Sequence, residues 1–189
     1  MDERIRIVAV ETLASNWGTL TNTTIDYRRA DGRWQRFSRE NYDHGNAAAL
    51  LLHNRDRDSV LLVRQFRYPP TVNGDPGFML EVCAGLLDGE SPATAIAREA
   101  LEETGHAPRG VRHVCDVYMS PGSVQEKLSL YIGEYDETTL QGPGGGIEGE
   151  GEEIELVEIS RAEAMAMIAD GRILDGKTVI LLQHLALTR

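Results

Sequence analysis

The sequence predicts a mixed α/β or α+β fold, in which a small antiparallel β lobe precedes one larger domain. Apolar residues make up 41% of the 189 residues, which is enough for a packed core and argues against disorder. Nineteen glycines and seven prolines indicate many turns. Apolar residues alternate in some stretches, as in strands, and recur at helical spacing in others.

The N-terminal lobe is predicted over residues 1–44 as a three-stranded meander. RIRIVAVETL alternates apolar and polar residues, and TLTNTTIDYRR is rich in threonine and aromatic residues, so both predict strands. ADG predicts a turn into a third strand, RWQRFSRE. The composition changes at NYDHGNAAALLL, and the main domain is predicted over residues 45–189.

The main domain is predicted to mix strands with three helices. Strands are expected at AAALLLHN, DSVLLVRQFR, FMLEVCAG, GVRHVCDVYMS, EKLSLYIGEYD and IELVEI, with a loop at YPPTVNGDPG. SRAEAMAMIADG predicts a helix with a capping box, Ser160 and Glu163, that ends at Gly171. TVILLQHLAL predicts a last helix, and QGPGGGIEGEGEE predicts a long glycine- and glutamate-rich loop.

Charge and cysteine content limit the possible classes of protein. A net charge of −11 argues against a nucleic-acid partner, which requires a basic face. AAALLL is far shorter than the roughly 20 apolar residues of a membrane span, so no membrane partner is expected. Cys83 and Cys115 stand apart, without zinc-ligand spacing, as expected of buried thiols in a reducing compartment. We therefore expect a soluble cytoplasmic protein.

One predicted helix, within GESPATAIAREALEETG, is unusually acidic. Ser91 is a favourable N-cap, Pro92 a favourable first residue and Gly105 a natural C-terminal cap. At about 100° per residue, two opposite arcs are predicted. The core-facing arc comprises Ala93, Ile96, Ala97, Ala100 and Leu101, and the opposite arc comprises Arg98, Glu99, Glu102 and Glu103.

Two interpretations of the acidic arc are open. Glu99 and Glu103 are i,i+4 neighbours whose carboxylates can meet at one point, and only Arg98 is near enough to balance them. Such a face is often merely solvated. Alternatively, clustered carboxylates suit a hard divalent cation such as Mg²⁺ or Mn²⁺.

The spacing of these residues resembles the Nudix box. The Nudix pattern is a Gly, five residues, a Glu, seven residues, and then Arg-Glu-(apolar)-x-Glu-Glu-x-Gly. The match is complete from Glu90 to Gly105, and the one departure is that only LLDG separates Gly85 from Glu90. The resemblance implies an α/β/α sandwich with a mixed sheet, and therefore a Nudix hydrolase domain over residues 45–189.

The same resemblance implies a mechanism and its residues. Glu99, Glu103 and the backbone carbonyl of Ala84 would bind Mg²⁺, with Mn²⁺ able to substitute, and Glu102 would assist. Arg98 would orient a box carboxylate, Glu90. The reaction would be hydrolysis of a nucleoside diphosphate linked to another group, with the ion neutralising the diphosphate and polarising the attacked phosphorus.

Segments outside the box extend the resemblance from about Ile5 to about Gln183. NYDHGNAA, VRQFR, EVCAGLLDGES, DVYMSPGSVQE, GGGIEGEGEEIEL and DGKTVILL are similar to the GDP-mannose pyrophosphatase subgroup, which lies close to the ADP-ribose pyrophosphatases. The resemblance implies a homodimer in which the N-terminal lobe reaches the partner's active site. Trp17 would stack on the base, or else anchor the lobe core, and Arg39 and Glu40 would line the partner's nucleotide pocket.

The remaining substrate contacts are also implied by resemblance. Arg67 would contact the substrate phosphates or sugar, or else form only a surface salt bridge, and Lys177 would reach a substrate phosphate or hydroxyl. Glu126 would line the sugar site, and Gly85 and Leu86 would also line the substrate site. In the glycine- and glutamate-rich loop, Glu150 would position or deprotonate the attacking water and Glu152 would bind metal, although Glu148 or Glu153 could replace either. The expected substrate is GDP-mannose, giving GMP and mannose 1-phosphate, and the alternative is ADP-ribose, giving AMP and ribose 5-phosphate.

The sequence argues against three rival interpretations. GRILDGKT satisfies the phosphate-loop pattern of nucleotide triphosphatases, but that loop must follow a strand, and here a capped helix is predicted before it. A sensor that binds a nucleotide sugar without cleaving it could lose box glutamates, whereas this sequence keeps them all. A purely structural dimer would leave the acidic cluster unexplained.

Overall fold

The computed structural model describes residues 2–147, 149 and 153–188, which form two units. The first unit comprises Met1–Asn46 and Tyr118–Lys127, and the second comprises Ala47–Val117 and Leu128–Arg189. None of the helices among the described residues is long and apolar enough to span a membrane.

The first unit contains the predicted meander. β1 (Ile5–Ser15), β2 (Thr19–Arg28) and β3 (Trp34–Asp43) form an antiparallel sheet in the order β1-β2-β3. The segment 118–127 joins this unit through the Tyr42 backbone, whose N–H donates to Ser123 at 2.8 Å and whose carbonyl accepts from Gln125 at 3.1 Å. The sequence did not indicate this attachment.

The second unit is built on a mixed seven-stranded sheet. The strands are β4 (Ala47–Asn54), β5 (Ser59–Phe66), β6 (Phe78–Glu81), β7 (Cys83–Leu86), β8 (Arg109–Tyr118), β9 (Lys127–Glu134) and β10 (Glu155–Ser160). The main path of the sheet is β10-β5-β4-β9-β8, while β6 pairs with β5 and β7 pairs with β4. The central strand β4 pairs in parallel with β9 and antiparallel with β5 and β7.

Helices cover both faces of this sheet, which confirms the predicted α/β/α sandwich. The helices are α1 (Tyr68–Val72), α2 (Pro92–Thr104), α3 (Arg161–Ala169) and α4 (Gly176–Leu187), with a 3-10 turn at Glu137–Thr139. Alternate residues of β4 enter two cores: Ala49 and Leu51 pack with α3 and α4, and Leu50 and Leu52 pack with α2. The continuous apolar run AAALLL is therefore a strand buried on both faces.

Two elements differ from the sequence prediction. YPPTVNGDPG was expected to be a loop, but it contains the one-turn helix α1, in which proline at the first positions suits a helix start. FMLEVCAG was expected to be one strand, but it divides at Val82 into β6 and β7, which pair with different strands. The division of this strand depends on pairing with distant strands, which local periodicity does not contain.

The phosphate-loop match does not have the surroundings that such a loop needs. The element before it is helix α3, which ends at Ala169, and the matched Lys177 lies in the first turn of α4. A phosphate loop must instead follow a strand. The rejection of a nucleotide triphosphatase on this ground is therefore confirmed.

Candidate active site

The acidic helix α2 begins and ends as its capping residues predict. The Ser91 hydroxyl accepts a hydrogen bond from the Thr94 N–H at 3.3 Å, and Pro92 is the first helical residue. Gly105 caps the other end in the left-handed conformation, at φ 75°. The shortened turn before the helix is formed by Asp88 and Gly89, which are both at positive φ. The Glu90 N–H closes this turn by donating to the Leu87 carbonyl at 2.7 Å.

The face that α2 buries is not the one that the apolar spacing predicted. The predicted core residues Ala93, Ala97 and Leu101 are exposed, although Ile96 and Ala100 are buried as expected. The predicted outward residue Glu103 is only 1% exposed. The prediction was wrong because it placed every charged residue outside, whereas the buried arc comprises Ala95, Ile96, Ala100, Glu103 and Thr104.

Strand β7 explains why two carboxylates of α2 are turned inward. The Ala84 N–H donates a hydrogen bond to Glu103 Oε2 at 3.3 Å. At Gly85, a Cβ atom would overlap the carboxyl group and Cγ of Glu99. Only glycine at position 85 therefore allows Glu99 to lie against the strand.

Arg98 balances the acidic side of α2. Its guanidinium lies 2.8 Å from Glu102, 3.0 Å from Glu99 and 3.3 Å from Glu90. Desolvation lowers the pKa of Arg98, but the charge of Glu99 and the contacts with Glu90 and Glu102 outweigh it, so that the pKa lies above its ordinary value. One fixed cation thus contacts three carboxylates that would otherwise repel one another.

The chemistry of these donors suits a hard divalent cation. Glu99 and Glu103 supply carboxylate oxygens beside the backbone of Ala84 and Gly85, which forms a cradle that a larger side chain at position 85 would fill. Within residues 2–147, 149 and 153–188, no three His, Cys, Asp or Glu side chains form a metal-binding group by themselves. The predicted loop residues Glu148, Glu150 and Glu152 lie outside the described residues.

Arg67 and Lys177, both predicted to contact substrate, meet at one buried carboxylate, Glu81. Arg67 donates two hydrogen bonds to Glu81, at 2.9 and 3.1 Å, and the Lys177 ammonium lies 2.6 Å from the same carboxylate. Lys177 also lies 2.9 Å from Asp175, which in turn accepts hydrogen bonds from the hydroxyl and the N–H of Thr178. Desolvation lowers the pKa of Arg67, but the hydrogen bonds and charge of Glu81 outweigh it, so the pKa lies above its ordinary value. The charge of Glu103, on α2, adds to this rise.

The remaining predicted contacts are placed as follows. Trp17 is 73% exposed and stacks on His44 with ring centroids 5.1 Å apart, so it is not a core residue of the first unit in the single chain. Arg39 is exposed, with its guanidinium 4.4 Å from the Phe37 ring. In the same unit Glu40 is exposed and Glu126 half-buried, whereas Leu86 is a half-buried residue of β7 and Glu153 an exposed residue in the second unit.

Sequence reasoning missed Glu81, Asp175 and Thr178. The Thr178 hydroxyl accepts a hydrogen bond from the Val82 N–H at 2.8 Å, so α4 is fastened to the strand segment that also carries Glu81. A signal was present, because Glu81 is the only charged residue in FMLEVCAG and a buried strand rarely holds an unpaired charge. Its partner Lys177 is 96 residues away, which no local pattern reveals.

A cavity of about 680 Å³ in the second unit lies apart from these residues. It is lined by Arg55 and Arg161, among others, which pair with Glu134 and Asp58 at 3.0 and 2.8 Å. None of its lining residues belongs to the predicted active site.

Two family models match the chain. Residues 4–42 match the GDP-mannose pyrophosphatase NudK N-terminal domain, and residues 43–178 match the NUDIX domain. A GDP-mannose pyrophosphatase of Pectobacterium atrosepticum is 48% identical, covering 97% of this chain and 95% of its own length. That of Cronobacter sakazakii is 45% identical, covering 99% and 97%.

Among solved structures, a crystal structure of an ADP compounds hydrolase is similar, with a TM-score of 0.70 over 97% of this chain and 93% of that chain. At 23% identity this similarity shows the fold alone. The NUDIX match and the full-length relatives show that the chain is an enzyme of the Nudix hydrolase family.

Proposed function

We propose that this enzyme hydrolyses the pyrophosphate bond of a nucleotide sugar, with GDP-mannose as the preferred substrate. Water would add to one phosphorus and the bridging oxygen would leave with the other, so that GDP-mannose and water give GMP and mannose 1-phosphate. The support is that full-length relatives at 43–48% identity are named GDP-mannose pyrophosphatases.

The observation that carries the proposal is the packing of α2 on β7. Glu99 fits against Gly85, and Glu103 is buried at the Ala84 N–H, so two carboxylates and a strand backbone converge. Removing a carboxylate from water is costly, and a purely structural role offers no reason to bring two of them against one strand backbone. A divalent-cation site provides that reason.

The residues would divide the work as follows. Glu99, Glu103 and the Ala84 carbonyl would hold Mg²⁺, with Glu152 from the loop. When bound, the ion would neutralise the diphosphate and polarise the phosphorus. Arg98 keeps Glu90 and Glu102 in fixed orientations through its contacts with both.

Substrate contacts would come from residues on several elements. Arg67 and Lys177 are cations held by one carboxylate, and such a fixed pair suits a diphosphate. Glu150 would align the attacking water, with Glu148 and Glu153 as alternatives. Trp17 has an exposed ring that can stack on a base, and we assign Arg39, Glu40 and Glu126 to the nucleotide and sugar pockets.

We also propose that the enzyme is a cytoplasmic homodimer with shared active sites. β1 is an edge strand of the first sheet, and its exposed apolar side chains, Ile7, Val8, Val10 and Leu13, are each at least 44% exposed. A long apolar edge is an aggregation hazard unless another chain covers it. Neither Cys83 nor Cys115 forms a disulfide, as expected in a reducing compartment.

A substrate panel tests the proposal. GDP-mannose, ADP-ribose, GDP-glucose and a dinucleoside polyphosphate are assayed with Mg²⁺ and after its removal by chelation. We expect Mg²⁺-dependent release of GMP, with the highest kcat/KM on GDP-mannose. Faster release of AMP from ADP-ribose would replace the substrate but keep the reaction class, and intact substrates throughout would refute the function.

Glu103→Gln tests the metal-binding role within the same assay. The substitution keeps the shape of the side chain but removes the charge that holds the cation, so kcat should fall by orders of magnitude. Glu163→Gln, at an exposed position of α3, is the matched control and should retain full activity. Near-normal turnover of a folded Glu103→Gln enzyme would remove Glu103 from the metal site.

A further inference from the structure

The glycine-rich stretch Gly142–Gly146 is bound to the end of helix α2. The Gly105 carbonyl accepts hydrogen bonds from the N–H groups of Gln141 and Gly142, at 2.8 and 3.1 Å. The Gly145 N–H donates to the Glu103 carbonyl at 2.8 Å, and the Gly146 N–H donates to the Glu102 carbonyl at 3.2 Å. Carbonyls that a helix end normally leaves unsatisfied are thus bound by the loop.

The loop that carries the predicted catalytic glutamates is also closed at its base. The Ile154 N–H donates to the Gly145 carbonyl at 3.2 Å, so the chain leaves and returns at the same point. Glu102 and Glu103 therefore each act through two groups. Their side chains lie in the acidic cluster, and their backbone carbonyls bind the loop.

Gly144 is the residue that makes this close approach possible. It lies at φ +66°, and a Cβ there would stand 2.7 Å from the Thr104 carbonyl carbon, 2.8 Å from the Glu103 oxygen and 2.9 Å from the Gly105 nitrogen. All three are backbone atoms, which cannot move aside cheaply. At Gly142, by contrast, the nearest atom to a Cβ would be 4.0 Å away, and φ is not positive.

We propose that Gly144 is a positioning residue, which fixes the base of the glutamate-bearing loop on the last turn of the metal-binding helix. The inference rests on the proposed function, because it assigns to the loop the carboxylates that align water and complete the metal site. The end of α2 then fixes the point from which the glutamate-bearing loop departs, at Gly145 and Gly146. Catalytic geometry of this kind is sensitive to displacements of about 1 Å.

Alanine substitutions in this stretch test the inference. Gly144→Ala should displace the loop base and lower kcat on the order of 10- to 100-fold, with KM little changed, because Arg67 and Lys177 lie on other elements. Gly142→Ala adds the same methyl group two residues away without a clash and should keep wild-type kcat. In Gly144→Ala, amide exchange at Gly145 and Gly146 should accelerate.

Equal kcat for the two variants, or an equal loss in both, would overturn the inference. If Gly144→Ala does not fold, Gly145→Ala carries the test, because its site is open but its φ of +103° disfavours a side chain. Its kcat should then lie below that of Gly142→Ala, and an unchanged kcat would contradict the inference. If the wild-type enzyme cleaves no nucleotide sugar, the proposed function fails, while the exchange comparison still decides whether Gly144 anchors the loop.

Discussion

Glu81 holds two cations, Arg67 and Lys177, with one carboxylate. Its carboxylate is 3% exposed and contacts Arg67 and Lys177, while Lys177 has a second partner in Asp175. A buried charge of this kind is tolerated only when it is paired and hydrogen-bonded. Glu81 therefore positions both cations, and its own carboxylate is not available to substrate.

Glu81→Gln should be destabilising out of proportion to its size. The substitution leaves Lys177 buried with one carboxylate fewer, and breaking such a pair costs about 3 kcal/mol when one partner is partly exposed, as Arg67 is. The free energy of unfolding by urea measures this. Glu155→Gln, which breaks the exposed Arg64–Glu155 pair, is the matched control and should cost less than about 1 kcal/mol. Equal costs would show that Glu81 is not buried among its partners.

The same network predicts how the stability depends on pH. Burial raises the pKa of Glu81, but Arg67 and Lys177 lower it more, so its pKa lies below the ordinary 4.5. Its contribution is thus present above pH 4.5 and is lost as pH falls through the lowered pKa. Burial lowers the pKa of Lys177, but Glu81 and Asp175 raise it above the ordinary 10.5, so that contribution is lost only as pH rises beyond this value.

The difference in stability between wild type and Glu81→Gln should therefore be constant between these limits and shrink on acidification below pH 4.5. Thermal unfolding followed across this range measures it. A difference that grows on acidification would contradict the sign of the Glu81 shift.

Helix α2 shows which features of an element the sequence can predict. Its ends follow from Ser91, Pro92 and Gly105, because capping is decided by a few neighbouring residues. Its buried face does not follow, because Glu103 is buried by an interaction with Ala84, on a different element. Periodicity treats every glutamate as exposed to solvent, so the buried face of α2 that it predicts is rotated about the helix axis from the observed one.

The corrected face can be tested by paired truncations on α2. Ile96→Ala should cost about 3 kcal/mol of unfolding free energy, because Ile96 is fully buried and leaves a cavity. Leu101→Ala should cost less than about 1 kcal/mol, because Leu101 is already 38% exposed. Comparable losses in the two variants would restore the orientation that the apolar spacing predicted.

Strands were predicted well where the local alternation of residues decides them. They were predicted less well where pairing with a strand distant in sequence decides them. The meander of the first unit, β4 with β5, and β8 to β10 lie where alternation and turn residues indicated. FMLEVCAG became two strands because β5 and β4 take its halves separately, and register with a distant strand is not encoded locally.

For the molecule as a whole, the box residues could be predicted but their supports could not. Glu99, Glu103, Arg98 and Gly85 were found by spacing along the chain, and the structure brings them together. Glu81 and Gly144 act through contacts with residues 96 and about 40 positions away in the sequence, so only the folded chain reveals them.

The proposed sharing of active sites predicts complementation between defective subunits. Trp17→Ala would remove the proposed base-stacking residue and Glu103→Gln the proposed metal ligand, so each variant should be nearly inactive at low substrate concentration. Co-expressed with two different tags and purified as the mixed dimer, they should regain activity, because one site then has both residues.

The matched control pairs Glu103→Gln with Glu99→Gln. Both residues lie on α2, so every site in that mixed dimer lacks one carboxylate and no activity should return. If the mixed dimer of Trp17→Ala and Glu103→Gln is no more active than either variant alone, the proposal that Trp17 acts in the partner's active site is contradicted.

The burial of β4 on both faces has a consequence for local breathing of the second unit. β4 is paired along both edges, and five of its residues are inaccessible to solvent. A strand of this kind belongs to the part of a protein that opens last. Ile96 and Ala100 attach α2 to that strand, so the carboxylates on this helix keep their places through fluctuations that transiently release surface segments. The acidic residues of α2 are therefore carried by a helix that packs on the most slowly opening strand of the second unit.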